Sequence, residues 1–169
     1  MAVALILTVG LLLRSTPEKA AMTFMNGFIN KDLDAMLSVM PEAYLDIYAD
    51  WYEYNNIQEL VRAMEFALEN DTVYLTGAYP VVHSCKVIST YDATSDYYGR
   101  MMVADLISEF PYSVGFEMIS SYKKLQLVEL EIEFQGNDHG SVGTDTLLVG
   151  SKGGKYYILC PEIPYFLLG

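Results

Sequence analysis

The most regular pattern of polar and apolar positions in the chain lies in the stretch Tyr122–Phe134. In its second half glutamates alternate with apolar residues, in the order Glu129, Leu130, Glu131, Ile132, Glu133 and Phe134. Because successive side chains of a β-strand point to opposite faces, this alternation predicts a strand with one solvated face and one buried face. A sheet that buries one face needs a covering layer, and the first half of the chain supplies helices for it.

Four helices are predicted between residues 15 and 70, where apolar residues recur at offsets of three and four. The first carries the stripe Ala21, Phe24, Met25 and Phe28. We expect it to begin with Ser15 as the cap, with Pro17 in the first turn and Glu18 returning a capping-box bond. The later helices are expected to begin at Asp32, Pro41 and Asn56.

The pattern then changes from helical to extended. The predicted strands are Thr72–Tyr79, Val81–Tyr91, Tyr122–Phe134, Asp145–Ser151 and Lys155–Leu159. Between them, Ser95–Phe110 has apolar residues at steps of four, which predicts one helix inserted between strands. Gly153-Gly154 supplies the positive φ that a tight hairpin turn needs. Helices followed by antiparallel strands define an α+β class, with a single domain over residues 15–169 after an apolar segment at residues 1–14.

The charge of the chain restricts its partners. The 169 residues carry a net charge of −12 and are 52% hydrophobic, so the chain is acidic and its composition is that of a folded domain. Such a chain repels phosphate backbones, and we expect no nucleic-acid partner. By the same argument we expect no charge-driven attraction to anionic lipid, which leaves the N-terminal segment as the only membrane contact.

That segment is an apolar run from Ala2 to Leu13, ended by Arg14. As a helix it would span roughly 18 Å, against about 30 Å of bilayer hydrocarbon, so it is too short to cross a membrane. It has neither the preceding cation nor the cleavage site of a signal peptide. We interpret it as the end of a single-pass or signal anchor that begins upstream of Met1, with the domain on the extracytoplasmic side. The alternative is an apolar helix packed within the domain.

Aromatic residues concentrate in the third helix. The predicted ligand-binding residues are Tyr44, Tyr48, Trp51 and Tyr52, close to Asp46 and Asp50. Tyr and Trp rings bring a large contact area and a polar tip, which suits a ligand pocket or an interface. The alternative is that one row of this helix belongs to the core and the other to a solvated surface.

The histidines and cysteines do not form a recognisable site. His83 and His139 lack metal-ligand spacing to each other or to cysteine, and we expect no metal and no cofactor. Cys85 and Cys160 could form a disulfide in an exported domain, or each could be a small buried apolar residue. The sequence contains no nucleophile elbow or phosphate-binding glycine loop, and no catalytic residues are predicted.

Two stretches resemble the nuclear-transport-factor-2-like (cystatin-like) superfamily. Ser15–Ile29 with Lys31–Met36 is similar to its opening helix pair, and Lys152–Ile158 resembles its closing hairpin, with Tyr156 where Trp is usual. The resemblance implies a cone, in which a strongly curved sheet wraps the first helix and a pocket opens at one end. The similar proteins are bacterial extracytoplasmic domains of unknown function tethered by one membrane helix. The inserted helix and the tyrosine-rich third helix depart from the pattern.

The function expected is therefore a non-enzymatic binding or interaction domain for an unknown small molecule or protein. One alternative is a small-molecule isomerase or hydrolase, because the resemblance to ketosteroid-isomerase-type enzymes implies a carboxylate base and a tyrosine donor. Asp46 or Asp105 would be that base, and Tyr48 or Tyr52 the donor. The other alternative is a structural homodimer, sheet against sheet, in which the glutamates of the two copies would oppose each other.

Overall fold

The computed structural model describes residues 15–70, 81–95, 97–109, 119–135 and 140–159. Its helices are α1 (Pro17–Asn30), α2 (Leu33–Leu37), α3 (Glu42–Trp51), α4 (Ile57–Asn70) and α5 (Tyr97–Glu109). Its strands are β1 (Val81–Asp92), β2 (Lys123–Gln135), β3 (Gly140–Lys152) and β4 (Lys155–Ile158). The predicted strand Thr72–Tyr79 lies outside the described residues.

The four strands form one antiparallel sheet in chain order, and the sheet curls strongly into a half-barrel. Two register shifts in the β1–β2 pairing, at Val82/Ser84 and Val87/Ser89, place an extra residue in β1 each time. Such bulges bend a strand and increase its twist. The α+β class with helices on a strongly curved sheet is confirmed. The inserted helix is confirmed as well, since α5 lies between β1 and β2 in the chain.

Helix α1 lies against the sheet and contacts all four strands. Its Ala21 and Phe24 are buried, and on β2 Leu130 and Ile132 are 0% and 6% exposed. The predicted buried face of this strand is therefore confirmed at both positions, while the side chain of Phe134 lies outside the described part. Full burial of each large apolar side chain contributes about 1.5–3 kcal/mol, so packing of α1 on the sheet stabilises the fold.

The start of α1 differs from the prediction. Thr16, not Ser15, is the cap: its backbone is extended, with φ −129° and ψ 159°, and its Oγ1 accepts a hydrogen bond from the Lys19 N–H at 3.2 Å. Ser15 instead accepts a hydrogen bond from the Tyr156 N–H at 3.1 Å. The prediction failed because both hydroxyls suit a cap, and a contact 141 residues away decided between them.

The same contact protects an edge of the sheet. Beyond β3, strand β4 would present unpaired N–H groups, which invite pairing with other chains. The Tyr156 N–H is satisfied by Ser15, and the Ile158 N–H donates to the Val39 carbonyl at 2.9 Å. The start of α1 and the segment after α2 therefore cover β4.

The remaining predicted caps are placed as expected. Asp32 accepts a hydrogen bond from the Ala35 N–H at 3.0 Å, and Asn56 accepts one from the Glu59 N–H at 3.1 Å. Glu59 returns its carboxylate to Asn55, and these hydrogen bonds lower the pKa of Glu59. Helices α3 and α4 pack on each other beside α1 and α2, and they bury Leu60 and Met64 completely.

Candidate functional site

The aromatic residues of α3 lie mostly inside the domain. Tyr44 and Tyr48 are 1% and 3% exposed, and their rings meet edge to face with centroids 6.3 Å apart. Tyr52 is half-buried against the core, and the side chain of Trp51 lies outside the described part. Tyr44 and Tyr48 are thus core residues in this structure. Ligand binding by the four predicted residues stays a prediction, and for this pair it would require the core to open.

The candidate acid–base residues differ in their exposure to solvent. Asp46 on α3 and Asp105 on α5 are both exposed, whereas the nearby donor Tyr48 is buried. His83 is exposed on β1, and His139 lies outside the described residues. Among the described residues no three His, Cys, Asp or Glu side chains are arranged to hold a metal ion.

Cys85 is a free, half-buried thiol on β1, opposite Ile132 of β2. Burial raises the pKa of this thiol, and the Asp145 carboxylate adds to the rise. Both effects disfavour the reactive thiolate, so Cys85 does not have the environment of a nucleophile. Cys160, its possible disulfide partner in the sequence, lies outside the described residues.

Each of the three glutamates of β2 contacts a polar side chain of β1. The Ser84 hydroxyl donates to Glu133 at 2.6 Å, the Ser89 hydroxyl donates to Glu129 at 2.7 Å, and the Lys86 ammonium lies 2.5 Å from Glu131. Glu133 is exposed and the other two glutamates are half-exposed, which confirms the solvated side of the strand. We call this surface the glutamate face.

The glutamate face does not extend along the whole of β2. Leu127, two positions before Glu129, is 0% exposed, and its partner Leu148 on β3 is 1% exposed. Helix α5 contacts β3, and its Met102 and Val103 are half-buried against the core. Alternation on β2 alone did not indicate that Leu127 would be buried, nor that the inserted helix would lie against β3.

The outer side of α5 carries apolar side chains in solvent. Tyr97, Tyr98 and Met101 are 70%, 51% and 42% exposed, and we call them the α5 patch. The helix is held close to the end of β1 because Gly99 is buried there. A Cβ on Gly99 would lie 2.3 Å from the Ala93 carbonyl oxygen, so any larger residue would push α5 away.

At one end of the sheet, exposed lysines surround the start of α1. The set, called here the basic end, is Lys19, Lys123, Lys124, Lys152 and Lys155, half of the chain's 10 Lys and Arg residues. The strand register brings them together: Lys123 pairs with Ser151, and Lys152 pairs with Lys155 across the Gly153-Gly154 turn. Arg14 directly precedes Ser15 in the sequence.

A cleft of about 360 Å³ opens at the basic end. Its lining residues are Ser15, Thr16, Pro17, Lys124, Ser151, Gly154 and Tyr156. Beside it, the Lys152 ammonium lies 5.4 Å from the centre of the Tyr122 ring and 3.5 Å from the Ser121 hydroxyl. None of the predicted ligand-binding residues lines this cleft, so the sequence-based search missed it. The signal was present, because a meander of antiparallel strands places the start of β2 next to the end of β3.

Comparison with known protein families, curated proteins and solved structures found no match to this chain. The class of protein therefore follows from the fold and the surfaces described above: an α+β domain with helices on a curled antiparallel half-barrel. No helix among the described residues is long and apolar enough to span a bilayer. The apolar run at residues 2–13 lies outside that part of the chain.

Proposed function

We propose that the chain is a membrane-tethered, extracytoplasmic binding or interaction domain of nuclear-transport-factor-2-like type, and that it is not an enzyme. The half-barrel wrapped on α1 is compatible with the cone of that superfamily. The apolar run at residues 2–13 supports the tether, since it is uncharged and lies next to the start of the domain.

The observation that carries the interaction role is the α5 patch. Tyr97, Tyr98 and Met101 expose large apolar surface next to one another on one helix, and Tyr and Met are enriched in protein interfaces. Gly99 packs this helix closely against the end of β1, which fixes the position of the patch relative to the sheet. We propose a protein partner on the same side of the membrane, bound through the α5 patch.

Photo-crosslinking in native membranes tests this proposal. A benzophenone amino acid is placed at position 98, and in a control variant at position 66, because Phe66 on α4 is 61% exposed and lies outside the patch. We expect an adduct of defined mass with a second protein from position 98 only, lost when Tyr97 and Met101 are changed to Ser. Equal labelling from both positions, or none from position 98, would refute the interaction role of α5.

The two alternatives give different results. An adduct with the mass of two copies would favour the structural homodimer. Sheet-to-sheet pairing through the glutamate face would bring Glu129, Glu131 and Glu133 of both copies together, with Lys86 of each as a counter-charge. An isomerase or hydrolase would lose its activity in Asp46→Asn or Asp105→Asn, and the exposure of both carboxylates speaks against either as a desolvated base.

A further inference from the structure

We infer that the basic end is a docking surface for anionic phospholipid headgroups. It would orient the tethered domain with the start of α1 facing the membrane. This inference rests on the proposed tether and adds to it a second contact, made by the folded domain. It departs from the expectation, based on net charge, that the chain has no electrostatic attraction to anionic lipid.

Four lysines of the basic end lack a carboxylate partner in the part of the chain that the structure describes. Among the described residues, no carboxylate forms an ion pair with Lys123, Lys124, Lys152 or Lys155, whereas Lys86 on the glutamate face does have such a partner. Glu18 shares the first turn of α1. Burial raises the pKa of Glu18, but hydrogen bonds from its own N–H, from Thr90 of β1 and from Thr16 outweigh this and lower it. Its carboxylate is thus engaged by groups other than the lysines.

Two features of the basic end disfavour the folded state. Lys152 and Lys155 pair directly across the hairpin, and like charges at such positions are destabilising. Lys124 has φ 49°, in the left-handed region that a residue with a Cβ seldom occupies. Unfavourable charge pairs and strained backbone of this kind are typical of functional sites. We therefore attribute the lysines to an external binding partner.

The place where the described chain begins indicates that partner. Ser15, the first described residue, lines the cleft between the lysines, so the described chain begins at the basic end. The apolar run at residues 2–13 belongs in the hydrocarbon of a bilayer if it is a tether. The headgroups of that bilayer would then face the lysines, and charge complementarity selects anionic ones.

The test uses the full chain in vesicles of phosphatidylcholine, either pure or with about one third phosphatidylglycerol. Exposed amines are acetylated with a membrane-impermeant reagent and quantified by peptide mass spectrometry. We expect Lys123, Lys124, Lys152 and Lys155 to be several-fold less reactive on the anionic vesicles. Lys31 and Lys86, exposed elsewhere on the same molecule, are the internal controls and should not change. High salt should abolish the difference, because it screens the charges.

Matched variants separate local charge from net charge. One carries Lys123→Gln, Lys152→Gln and Lys155→Gln; the other carries Lys31→Gln, Arg62→Gln and Arg100→Gln. Each removes three positive charges and takes the net charge from −12 to −15. Since each lysine at the surface contributes about a five-fold preference, the first should lose on the order of 100-fold in its preference for anionic over neutral vesicles. The second should lose little. In Lys124→Gly, which relieves the positive φ, thermal stability should be kept while protection falls.

The outcomes also distinguish this inference from the tether. A native full-length product that fractionates as a soluble protein refutes the tether. A chain that floats with both kinds of vesicle, but whose basic-end lysines react equally on each, refutes the docking surface alone. Equal losses in the two triple variants would overturn it too, because only net charge would then matter. Protection by a soluble polyanion on neutral vesicles would assign the basic end to that ligand instead of the membrane.

Discussion

The buried pair Tyr44 and Tyr48 gives the sharpest test of whether α3 is core or binding site. Tyr48 is 3% exposed, and truncating a buried aromatic residue to Ala costs about 3–5 kcal/mol. For a chain of 169 residues, each kcal/mol lowers the melting temperature by about 2–4 °C. We therefore expect Tyr48→Ala to melt about 6–20 °C lower than the parent. The exposed neighbour Asp46 provides the control, since Asp46→Asn should change stability by no more than about 0.5 kcal/mol.

A double-mutant cycle measures the contact itself. Tyr44→Leu, Tyr48→Leu and the combined variant keep an apolar side chain at each site, and urea unfolding followed by circular dichroism gives the three free energies of unfolding. The edge-to-face geometry at 6.3 Å predicts a coupling of about 0.5–1.5 kcal/mol. If Tyr48→Ala lost less than about 1 kcal/mol and the coupling were zero, the ring would not be in the core. The ligand-pocket interpretation of α3 would then regain support.

Two further predictions concern titrating groups. Burial, with a contribution from Tyr157, raises the pKa of Tyr122 to about 12, so between pH 10 and pH 12 the unfolded chain releases this proton first. The stabilising contribution of Tyr122 is therefore complete below pH 10 and is lost as the pH rises. The midpoint of urea unfolding should fall between pH 9 and pH 11, and it should fall less in Tyr122→Phe than in the parent. An equal fall in both proteins would contradict the raised pKa. Because burial and Asp145 raise the pKa of Cys85, its thiol should react slowly with a disulfide reagent. In a Cys160→Ser background at pH 8, the reaction should be slower in the folded than in the unfolded chain, and Asp145→Asn should make it faster. A rate equal to that of free cysteine would contradict the burial.

The parts of the fold that the sequence predicted are those with local signals. Alternation in β2 and the caps at Asp32 and Asn56 depend on neighbouring residues, and the structure confirms them. Strand β3 was predicted over Asp145–Ser151 but runs over Gly140–Lys152. The added residues Gly140–Thr144 have a loop-like composition, yet they pair with β2, because a partner strand supplies hydrogen bonds whatever the side chains.

The parts that were missed depend on which distant elements meet. The spacing of α3 fits a core stripe and a binding stripe equally well, so burial of Tyr44 and Tyr48 could be decided only by what packs on them. The inserted helix was predicted, but its contact with β3 was not. No local pattern states where a helix between two strands will lie. Ser15 and Thr16 were likewise separated only by the distant strand β4.

The inference about the basic end gives the local charge of one surface more weight than the net charge of the chain. The net charge of −12 is a sum over the whole chain and says nothing of where the charges lie. A domain of this length has a radius of gyration of about 15 Å. At physiological ionic strength the Debye length is about 8 Å, so a flat surface senses mainly the charges of the end that approaches it. A domain that approaches by the basic end presents the lysines within that distance and holds the glutamate face farther away. The same acidic body that weakens attraction in other orientations therefore strengthens the preference for this one, and raising the salt should abolish the orientation while leaving the apolar tether in place.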